Sequence, residues 1–493
     1  ELGVVVVPVS ATRGDGIERL RHAIELAPSL PPPPARSWLR DEINVQRGYA
    51  WIAEVLERCV VRADGSPRTL SDRVDGVLLH PLWGPLVFLA ILLAAFQAMF
   101  TVARPMADGI DALVGAAGAA IVHALPTGDL RSLLVDGVLG GVGSVLVFLP
   151  QIAMLFLVIG LLEDSGYMAR AAFAVDRYVR PLGLQGRSFI PLVSGYACAV
   201  PGIMATRTIQ QREERLATIM VVPLMSCSAR LPVYALLIAA FVPAVSVGGI
   251  VSLQSLTLLA MYLLGTVAAL GMAALFRRTL LRSDTRALIM ELPPYSLPSA
   301  RVLVASVWQR VRIFLRRAGT VIFAISILLW ALAHYPRAEA GATAERQLAS
   351  SALGRVGHAI EPAVRPLGYD WKIGVSMVAS FAAREVFVST MGTIYSASTD
   401  DDSRVLARRL REERDARSGR AVYTPLVAVG LMVFYVFALM CTSTVAITVR
   451  ETGGGWRGAG WAALQFSYML ALAYGGALLV YRAGLALGFG GSG

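Results

Sequence analysis

The sequence predicts a mainly α-helical, polytopic membrane protein that is preceded by the remnant of an α/β domain. Of its 493 residues, 56% are hydrophobic and only 16% are charged, whereas soluble domains are about 25% charged. The mean hydropathy is +0.61, and several apolar runs reach the roughly 20 residues that a helix needs to cross a bilayer. These observations exclude a disordered chain, a coiled coil and a collagen.

The basic residues indicate membrane loops rather than a nucleic-acid surface. The net charge of +11 comes almost entirely from arginine, since Lys372 is the single lysine. A nucleic-acid-binding protein would carry a basic stripe with interleaved aromatic residues. Here the arginines cluster between apolar runs, as they do in cytoplasmic loops of membrane proteins. We therefore expect no nucleic-acid partner, and four scattered cysteines are too few for a disulfide framework.

Residues 1–27 are predicted to form one strand, a turn and one amphipathic helix. The run Val4–Val7 is typical of a buried parallel strand. The helix that follows has an apolar face made of Ile17, Leu20, Ile24 and Leu26. One strand and one helix cannot build a core, so we expect these residues to be the C-terminal remnant of an α/β domain and the chain to be a fragment.

Residues 28–75 are predicted to link this remnant to the membrane. Pro31–Pro34 form a stiff linker. The charged remainder is predicted to be a helical cytoplasmic domain with a turn at residues 64–67.

Eight apolar segments within residues 81–482 are candidate spans: 81–103, 137–162, 216–243, 251–276, 318–336, 373–396, 421–449 and 458–481. The arginine-rich loops 277–317 and 404–420 are predicted to be cytoplasmic, which places both termini in the cytoplasm. The Gly- and Pro-rich segment 188–204 is predicted to be re-entrant, because uncovered backbone is tolerated at membrane depth only beside a cavity.

An internal repeat supports a transporter. The sequence Arg-Pro-Leu-Gly occurs at 180–183 and again at 365–368, and extending the match without gaps sets Cys198 opposite Ala383 and Val200 opposite Glu385. Three predicted spans separate the copies, so they should enter the membrane in opposite senses. Inverted repeats with broken helices are typical of the binding site of a secondary transporter. The repeats extend over about 163–276 and 318–449.

Three cysteines and one glutamate are the main candidates for a metal site. Cys198, Cys227 and Cys441 lie in Gly/Pro-broken or Ser/Thr-rich membrane segments. A buried cysteine is most often a small hydrophobic residue, and for each of them alone this is the better interpretation. As a set with the carboxylate of Glu385, they suit a borderline divalent transition metal.

The role of Glu385 has a structural alternative, as do the weaker candidates. A carboxylate in an apolar span is costly unless it has a partner or a function. A local pair with Arg384 is the structural alternative, which adjacent helix positions disfavour. Four weaker candidate ligands are Met204, Met225, Glu163 and Asp164. For the two acidic residues, a position at the membrane interface is at least as good an explanation.

Motifs for enzymatic catalysis are missing from the sequence. The five histidines form no HExxH motif, and neither GxSxG nor the phosphate-binding GxxxxGK[ST] occurs. The residues therefore predict no catalytic site in this chain.

Several separate blocks resemble the ferrous iron transport protein B family, from about residue 1 to 482. They are LEDSGYMARAAFAVDR at 162–177, GLQGRSFIPLVSGYACAVPGIMATRTIQQREERL at 183–216, MSCSARLPVYAL at 225–236, MELPPYSLP at 290–298, FAAREVFVSTMGTIY at 381–395 and TSTVAITVRETGGGW at 442–456. The resemblance implies an N-terminal GTPase domain, a helical linker, and a membrane domain with two gate-type repeats. That membrane domain would carry Fe²⁺ inward across the bacterial cytoplasmic membrane.

The resemblance also implies roles for individual residues. It matches Ser10, Ala11 and Thr12 to the last guanine-contacting motif of the GTPase, and it matches the family's membrane cysteines to the three named above. The other nucleotide-binding motifs are absent, so GTP and Mg²⁺ would belong only to the full-length protein. Ala199 stands where members often carry Asn, which removes one oxygen ligand.

The implied partners are Fe²⁺, the lipid bilayer, small cytoplasmic Feo accessory proteins and further copies in a homo-oligomer. Two alternative functions stay open. One is a carrier for a nucleoside-like or other organic solute, and the other is a membrane scaffold that is inactive without its GTPase domain.

Overall fold

The computed structural model describes residues 6–10, 14–29, 45–59, 70–80, 82–126, 128–247, 251–282, 295–337, 344–381, 384, 386–395, 402–414 and 421–488. The chain divides into two compact units, Glu1–Asp72 and Arg73–Gly493.

The described part of the N-terminal unit is helical. Helix α1 (Ile17–Leu26) follows Gly16, whose φ of 80° is the left-handed conformation that glycine favours. Helix α2 (Val45–Cys59) comes next, and α3 (Leu70–Leu78) leads into the second unit. The predicted amphipathic helix is thus confirmed, while its apolar face is exposed, with Ile24 at 63%.

The strand expected at Val4–Val7 is not formed where the structure describes it. Val6 and Val7 belong to no strand, and Val6 is 68% exposed. A strand needs a neighbour to satisfy its N–H and C=O groups. The described residues of this unit offer only an isolated bridge between Ser10 and Asp15.

The larger unit is almost entirely helical. Its helices are α4 (Trp83–Ala98), α5 (Arg104–Ala124), α6 (Asp129–Ser132), α7 (Gly140–Asp164), α8 (Tyr167–Val179), α9 (Phe189–Ala197), α10 (Ala199–Ala205), α11 (Arg212–Val221), α12 (Leu231–Phe241), α13 (Leu253–Arg278), α14 (Ala300–Phe314), α15 (Thr320–His334), α16 (Ala344–Ser350), α17 (Ala352–Val364), α18 (Trp371–Ala379), α19 (Val386–Ile394), α20 (Asp402–Glu412), α21 (Pro425–Phe437), α22 (Thr442–Glu451) and α23 (Gly455–Ala486). Strands β1 (Ser246–Val247) and β2 (Val251–Ser252) pair antiparallel, with Ser246 opposite Ser252.

Six helical segments in the described ranges are long and apolar enough to cross a membrane: Thr101–Ala124, Asp129–Asp164, Arg212–Phe241, Leu253–Arg278, Pro425–Glu451 and Gly455–Ala486. Phe323–His334 is a shorter apolar helix. The chain is therefore a polytopic helical membrane protein, as predicted. The sequence predicts eight spans, and six helices among the described residues meet this length and apolarity, not counting the shorter Phe323–His334. Two of these segments form the buried centre, Arg212–Phe241 and Pro425–Glu451, whose most apolar windows are 67% and 72% buried.

The predicted re-entrant segment is a helical hairpin made of α9 and α10, which we call hairpin 1. The two helices pack closely, because a Cβ on Gly202 would lie 2.9 Å from the carbonyl oxygen of Pro191. Ser188, before α9, donates to Glu214 at 2.8 Å, and Arg207, after α10, binds Glu451. Both ends of hairpin 1 thus return to the same end of the bundle.

The expected span 373–396 is wrong, because these residues also form a hairpin. Helices α18 and α19 have nine residues each, about 13 Å of helix, which is too short to cross a bilayer. The ammonium group of Lys372, at the start of α18, lies 4.9 Å from the ring centre of Tyr395, just after α19. The chain therefore leaves this hairpin 2 where it entered.

The end at which the membrane unit begins is called the proximal end. There Asp75 of α3 accepts hydrogen bonds from Arg170 at 3.0 Å and from Tyr295 at 2.6 Å. At the same end, Arg215 at the start of α11 binds Glu451 at the end of α22 at 2.8 Å.

The opposite, distal end holds hairpin 2 and the end of α23. Lys372 binds Glu413 at 2.8 Å, and Tyr474 of α23 donates to the carbonyl oxygen of Ala363 at 2.9 Å. Residue 486 therefore lies at the end opposite to residue 75. The described ends of this unit thus lie at opposite ends of the bundle, because 373–396 does not cross, and the cytoplasmic position of both termini stays a prediction.

The two copies of the internal repeat have the same local structure and opposite senses. Each Arg-Pro-Leu segment is a 3₁₀ turn closed by a left-handed glycine, with φ of 80° at Gly183 and 79° at Gly368. Hairpin 1 opens to the proximal end and hairpin 2 to the distal end. Three bundle-crossing segments separate them, as the sequence predicts: α11–α12, α13 and α14–α15.

Candidate metal-transport site

Each membrane cysteine lies where a helix is interrupted. Cys198 separates α9 from α10 with extended backbone angles (φ −158°, ψ 134°). Cys227 (φ −76°, ψ 162°) lies between α11 and α12, directly before the 3₁₀ turn Ser228–Arg230. Cys441 (φ −162°, ψ 107°) directly precedes α22. The three residues thus share one structural position, immediately before the first residue of a new helical segment.

Prolines explain two of these three breaks. Pro201 lies in the first turn of α10 and Pro232 in the first turn of α12, where a missing N–H costs no hydrogen bond. Pro223 lies in the 3₁₀ turn that ends α11. The break before Cys441 contains no proline, and there Arg384 donates to the carbonyl oxygen of Ala438 at 2.9 Å.

The backbone of each cysteine begins the helical segment that follows. The carbonyl oxygen of Cys198 accepts from Gly202 at 3.3 Å, that of Cys227 from Arg230 at 3.1 Å, and that of Cys441 from Thr444 at 3.1 Å. A helix start carries unpaired N–H groups and a partial positive charge. All three thiols, each half-buried, therefore lie beside the backbone N–H groups that begin a helical segment.

Two buried arginines satisfy the carbonyl groups that the breaks leave unpaired. Arg230 is fully buried and donates to Pro223 and Leu224 carbonyl oxygens at 3.0 and 3.2 Å. Arg384 is 4% exposed. Both guanidinium groups retain donors without a hydrogen-bond partner among the described residues, Nε of Arg230 and Nε and Nη1 of Arg384.

Two of the candidate cysteines lie beside this arginine pair. Arg230 lies close enough to Cys227 for a Coulomb interaction between the two side chains, and it interacts in the same way with Arg384. Cys441 has both Arg384 and Cys227 as neighbours. Cys227 and Cys441 are thus brought together at the buried centre of the unit.

Packing between helices places Cys198 near this centre. Helix α10, which begins after Cys198, packs against α22, which begins after Cys441. Gly195 of α9 allows close approach to the break before Cys227, because a Cβ there would lie 3.1 Å from the Cβ of Met225. No group of three or more His, Cys, Asp or Glu side chains in the described ranges could hold a metal ion.

The remaining candidates lie in different places. Glu385, Ala11 and Thr12 fall outside the described residues, and Ser10 lies in an isolated bridge. Met225 is buried at the second break. Glu163 and Asp164 are exposed at the proximal end of α7, where Arg310 approaches Glu163 at 3.6 Å.

A cavity of about 720 Å³ opens at the proximal end between hairpin 1, α7, α14 and α22. Met204 and Glu163 line it, together with four arginines, Arg207, Arg310, Arg316 and Arg450. One carboxylate among four guanidinium groups repels a bare divalent cation. Met204 and Glu163 therefore lie in surroundings unlike those of the cysteines. Sequence reasoning missed this cavity, because its arginines are far apart along the chain.

Comparisons with known proteins agree with the repeat architecture. A family model described as "Nucleoside recognition" matches two separate segments, residues 145–241 and 315–455. A second model, described as "Ferrous iron transport protein B C terminus", matches residues 258–310. The chain is also 41% identical over 440 residues to the Fe(2+) transporter FeoB of Leptospira interrogans, which covers 88% of this chain and 62% of that protein. This chain belongs to the FeoB family.

Further FeoB relatives show the same partial coverage. The Leptospira biflexa Fe(2+) transporter FeoB is 43% identical over 421 residues, 85% of this chain and 60% of the relative. A Porphyromonas gingivalis protein named as a fusion of Fe(2+) transport protein A with Fe(2+) transporter FeoB is 38% identical over 478 residues, 90% of this chain and 55% of the relative. This FeoB-family chain thus spans about 60% of the length of such relatives, and no solved structure matches it.

Proposed function

We propose that this chain is the membrane part of a transporter that carries Fe²⁺ inward across the bacterial cytoplasmic membrane. The observation that carries the proposal is the shared position of Cys198, Cys227 and Cys441, each at the start of a helical segment after a break. Discontinuous helices at corresponding places in inverted repeats are typical of transporter binding sites. The relatives named as Fe(2+) transporters supply the choice of ion.

The chemistry of the centre favours soft or anionic ligands for the ion. Arg230 and Arg384 place two positive charges beside Cys227 and Cys441, so a divalent cation needs compensating negative charge to enter. Thiolates and the carboxylate of Glu385 provide it. Fe²⁺ binds weakly in the divalent series, so its selection depends on ligand type and geometry.

The remaining parts of the assignment follow from family membership. Residues 1–27 would be the end of a GTPase domain with Ser10, Ala11 and Thr12 in its guanine-contacting motif, and 28–75 the helical linker. The transmembrane domain would span 81–482, with gate repeats at about 163–276 and 318–449. GTP, with Mg²⁺, would gate or regulate transport in the intact protein. The fusion partner in the Porphyromonas gingivalis relative makes a small cytoplasmic FeoA-type protein the expected accessory protein.

We place the proximal end in the cytoplasm. The linker helix α3 enters the membrane unit at this end, where Asp75 binds Arg170 and Tyr295. A cytoplasmic nucleotide-binding domain attached to α3 would then act on hairpin 1 through α8.

The test is Fe²⁺ uptake into proteoliposomes by single Cys→Ser variants of the three membrane cysteines. Each variant should lose most uptake while eluting as a folded protein. The matched control is Cys59→Ser, since Cys59 is exposed in the N-terminal unit. Thiol-reactive mercury or silver should block the wild type, and Fe²⁺ should protect it. Normal uptake by the triple variant would return the cysteines to a packing role.

The organic-solute alternative has two specific observations in its favour. The model that matches both repeats is described as nucleoside recognition. Tyr196 and Tyr262 also stack with ring centres 6.2 Å apart, and Tyr262 is an electrostatic neighbour of Cys227. Uptake of a labelled nucleoside that is unaffected by Fe²⁺ and by the Cys→Ser variants would favour this carrier. If the protein takes up neither Fe²⁺ nor the nucleoside and binds no metal, the result would favour the inactive membrane scaffold.

A further inference from the structure

The proximal cavity has the charge pattern of an anion site. Arg207 is paired with Glu451, and Arg310 has Glu163 as its nearest carboxylate. Arg316 and Arg450 are exposed, and neither has a carboxylate partner among the described residues. Two unpaired guanidinium groups from different helices therefore line one cavity. Guanidinium groups bind phosphate oxygens in a bidentate manner.

The rest of the cavity lining is mostly apolar. Phe156 and Ile159 come from α7, Ile313 and Phe314 from α14, and Ile447 from α22. Residues 129–164 and 425–451, which supply α7 and α22, are candidate spanning segments. The volume of about 720 Å³ lies in the range of roughly 300–1,000 Å³ that buries a small molecule. A cavity with apolar walls and an arginine rim matches an amphiphile that has an anionic head.

We propose that this cavity binds an anionic phospholipid, with its phosphate between Arg316 and Arg450 and an acyl segment against Phe156 and Phe314. Basic pockets between transmembrane helices recognise anionic head groups in this way. Charge complementarity favours this occupant over a free metal ion, and the apolar walls favour it over a small soluble anion. The bound lipid connects α14–α15 with α22, whose last residue, Glu451, bridges the two repeats.

The experiment measures lipid binding and is independent of transport. The full chain, purified in detergent, is titrated with phosphatidylglycerol or phosphatidylcholine, and bound lipid is counted by native mass spectrometry. We expect phosphatidylglycerol to bind and phosphatidylcholine not to bind. The double variant Arg316→Gln/Arg450→Gln should weaken phosphatidylglycerol binding by roughly thirtyfold, which is about five- to sixfold for each arginine.

The matched control is Arg312→Gln/Arg457→Gln, which removes the same charge from two exposed arginines that do not line the cavity. It should bind phosphatidylglycerol like the wild type. A second variant, Ala446→Phe, keeps every charge and narrows the cavity, and it should also weaken lipid binding. Each variant must elute as a folded protein.

Three results would overturn the proposal. An equal loss of phosphatidylglycerol binding in the cavity variant and in the control variant would show that the lipid is attracted to positive charge non-specifically. Equal binding of both lipids would show that the arginines do not select the head group. The third result is that millimolar inorganic phosphate displaces the lipid and that phosphate alone protects the protein against heat. This result would assign the site to a soluble anion.

Discussion

The guanidinium group of Arg215 lies 2.8 Å from the carboxylate of Glu451, although 236 positions separate them in the sequence. Arg215 belongs to the first turn of α11 in the first repeat, and Glu451 is the last residue of α22 in the second. Arg207, at the end of hairpin 1, binds the same carboxylate through Nε at 3.0 Å. One carboxylate thus joins the two repeats at the proximal end.

Replacing this carboxylate should destabilise the contact between the repeats. Glu451 is 9% exposed, so Glu451→Gln leaves two arginines without their counter-charge. We expect the free energy of unfolding to fall by about 1–3 kcal/mol, less than for a fully buried pair because Arg207 is half-exposed. Thermal unfolding in detergent measures it. A double-mutant cycle with Arg215→Gln should give a non-zero coupling energy, and strictly additive losses would contradict the bridge.

The hairpin form of residues 371–394 makes a topological prediction. Reporter fusions after residue 340 and after residue 401 should report the same side of the membrane, because hairpin 2 returns to its own end. A fusion after residue 290 should report the opposite side, and one after residue 488 should agree with residue 340. Opposite signals at 340 and 401 would show that these residues cross as one span.

Glu385 remains the predicted transport carboxylate. The substitution Glu385→Gln removes the charge of this side chain and keeps its size. The hydrogen bond of Arg384 goes to the carbonyl oxygen of Ala438, so we expect Glu385→Gln protein to fold normally and to lose Fe²⁺ uptake. Uptake and the yield of folded protein are measured together. Glu412→Gln, at an exposed distal position, is the control. Loss of folded protein would instead identify Glu385 as the structural partner of a buried arginine.

The stability of the distal end should depend on Asp370. Burial raises the pKa of this carboxyl to about 6, although the amide of Ile373 and the charge of Lys372 act in the opposite direction. The folded protein therefore holds a proton between about pH 4 and 6 that the unfolded chain has released. Stability should fall as the pH rises through this window, by at most about 3 kcal/mol, and then level off.

The Asp370→Asn variant isolates this effect. Asn remains a good helix N-cap, so the hydrogen bond that the Ile373 amide donates to Oδ1 of residue 370 at 2.9 Å can be kept while the titration is removed. The difference in melting temperature between wild type and variant should change between pH 4 and 6 and stay constant above pH 7. A constant difference across the whole range would show that Asp370 has an ordinary pKa.

Local sequence was sufficient for the amphipathic helix at residues 17–26 and for the repeat. The Arg-Pro-Leu-Gly copies at 180–183 and 365–368 adopt the same turn, because proline fixes φ and glycine permits the left-handed conformation. The break at Cys198 was predicted from the Gly- and Pro-rich composition of 188–204. The predicted strand does not form at Val6 and Val7, the part of it that the structure describes, since a strand depends on a neighbour that residue patterns do not guarantee.

Sequence by itself determined that this chain is a helical membrane protein of the FeoB family, because hydropathy and short motifs are local properties of the residues. Tertiary structure alone decided whether an apolar segment crosses the bundle or turns back. Residues 373–396 are apolar enough to span, yet Lys372 and Tyr395 meet at one end. It also decided that Arg230 and Arg384 lie beside Cys227 and Cys441. Such contacts join residues far apart along the chain, and their energies depend on distance and burial, which only the folded molecule defines.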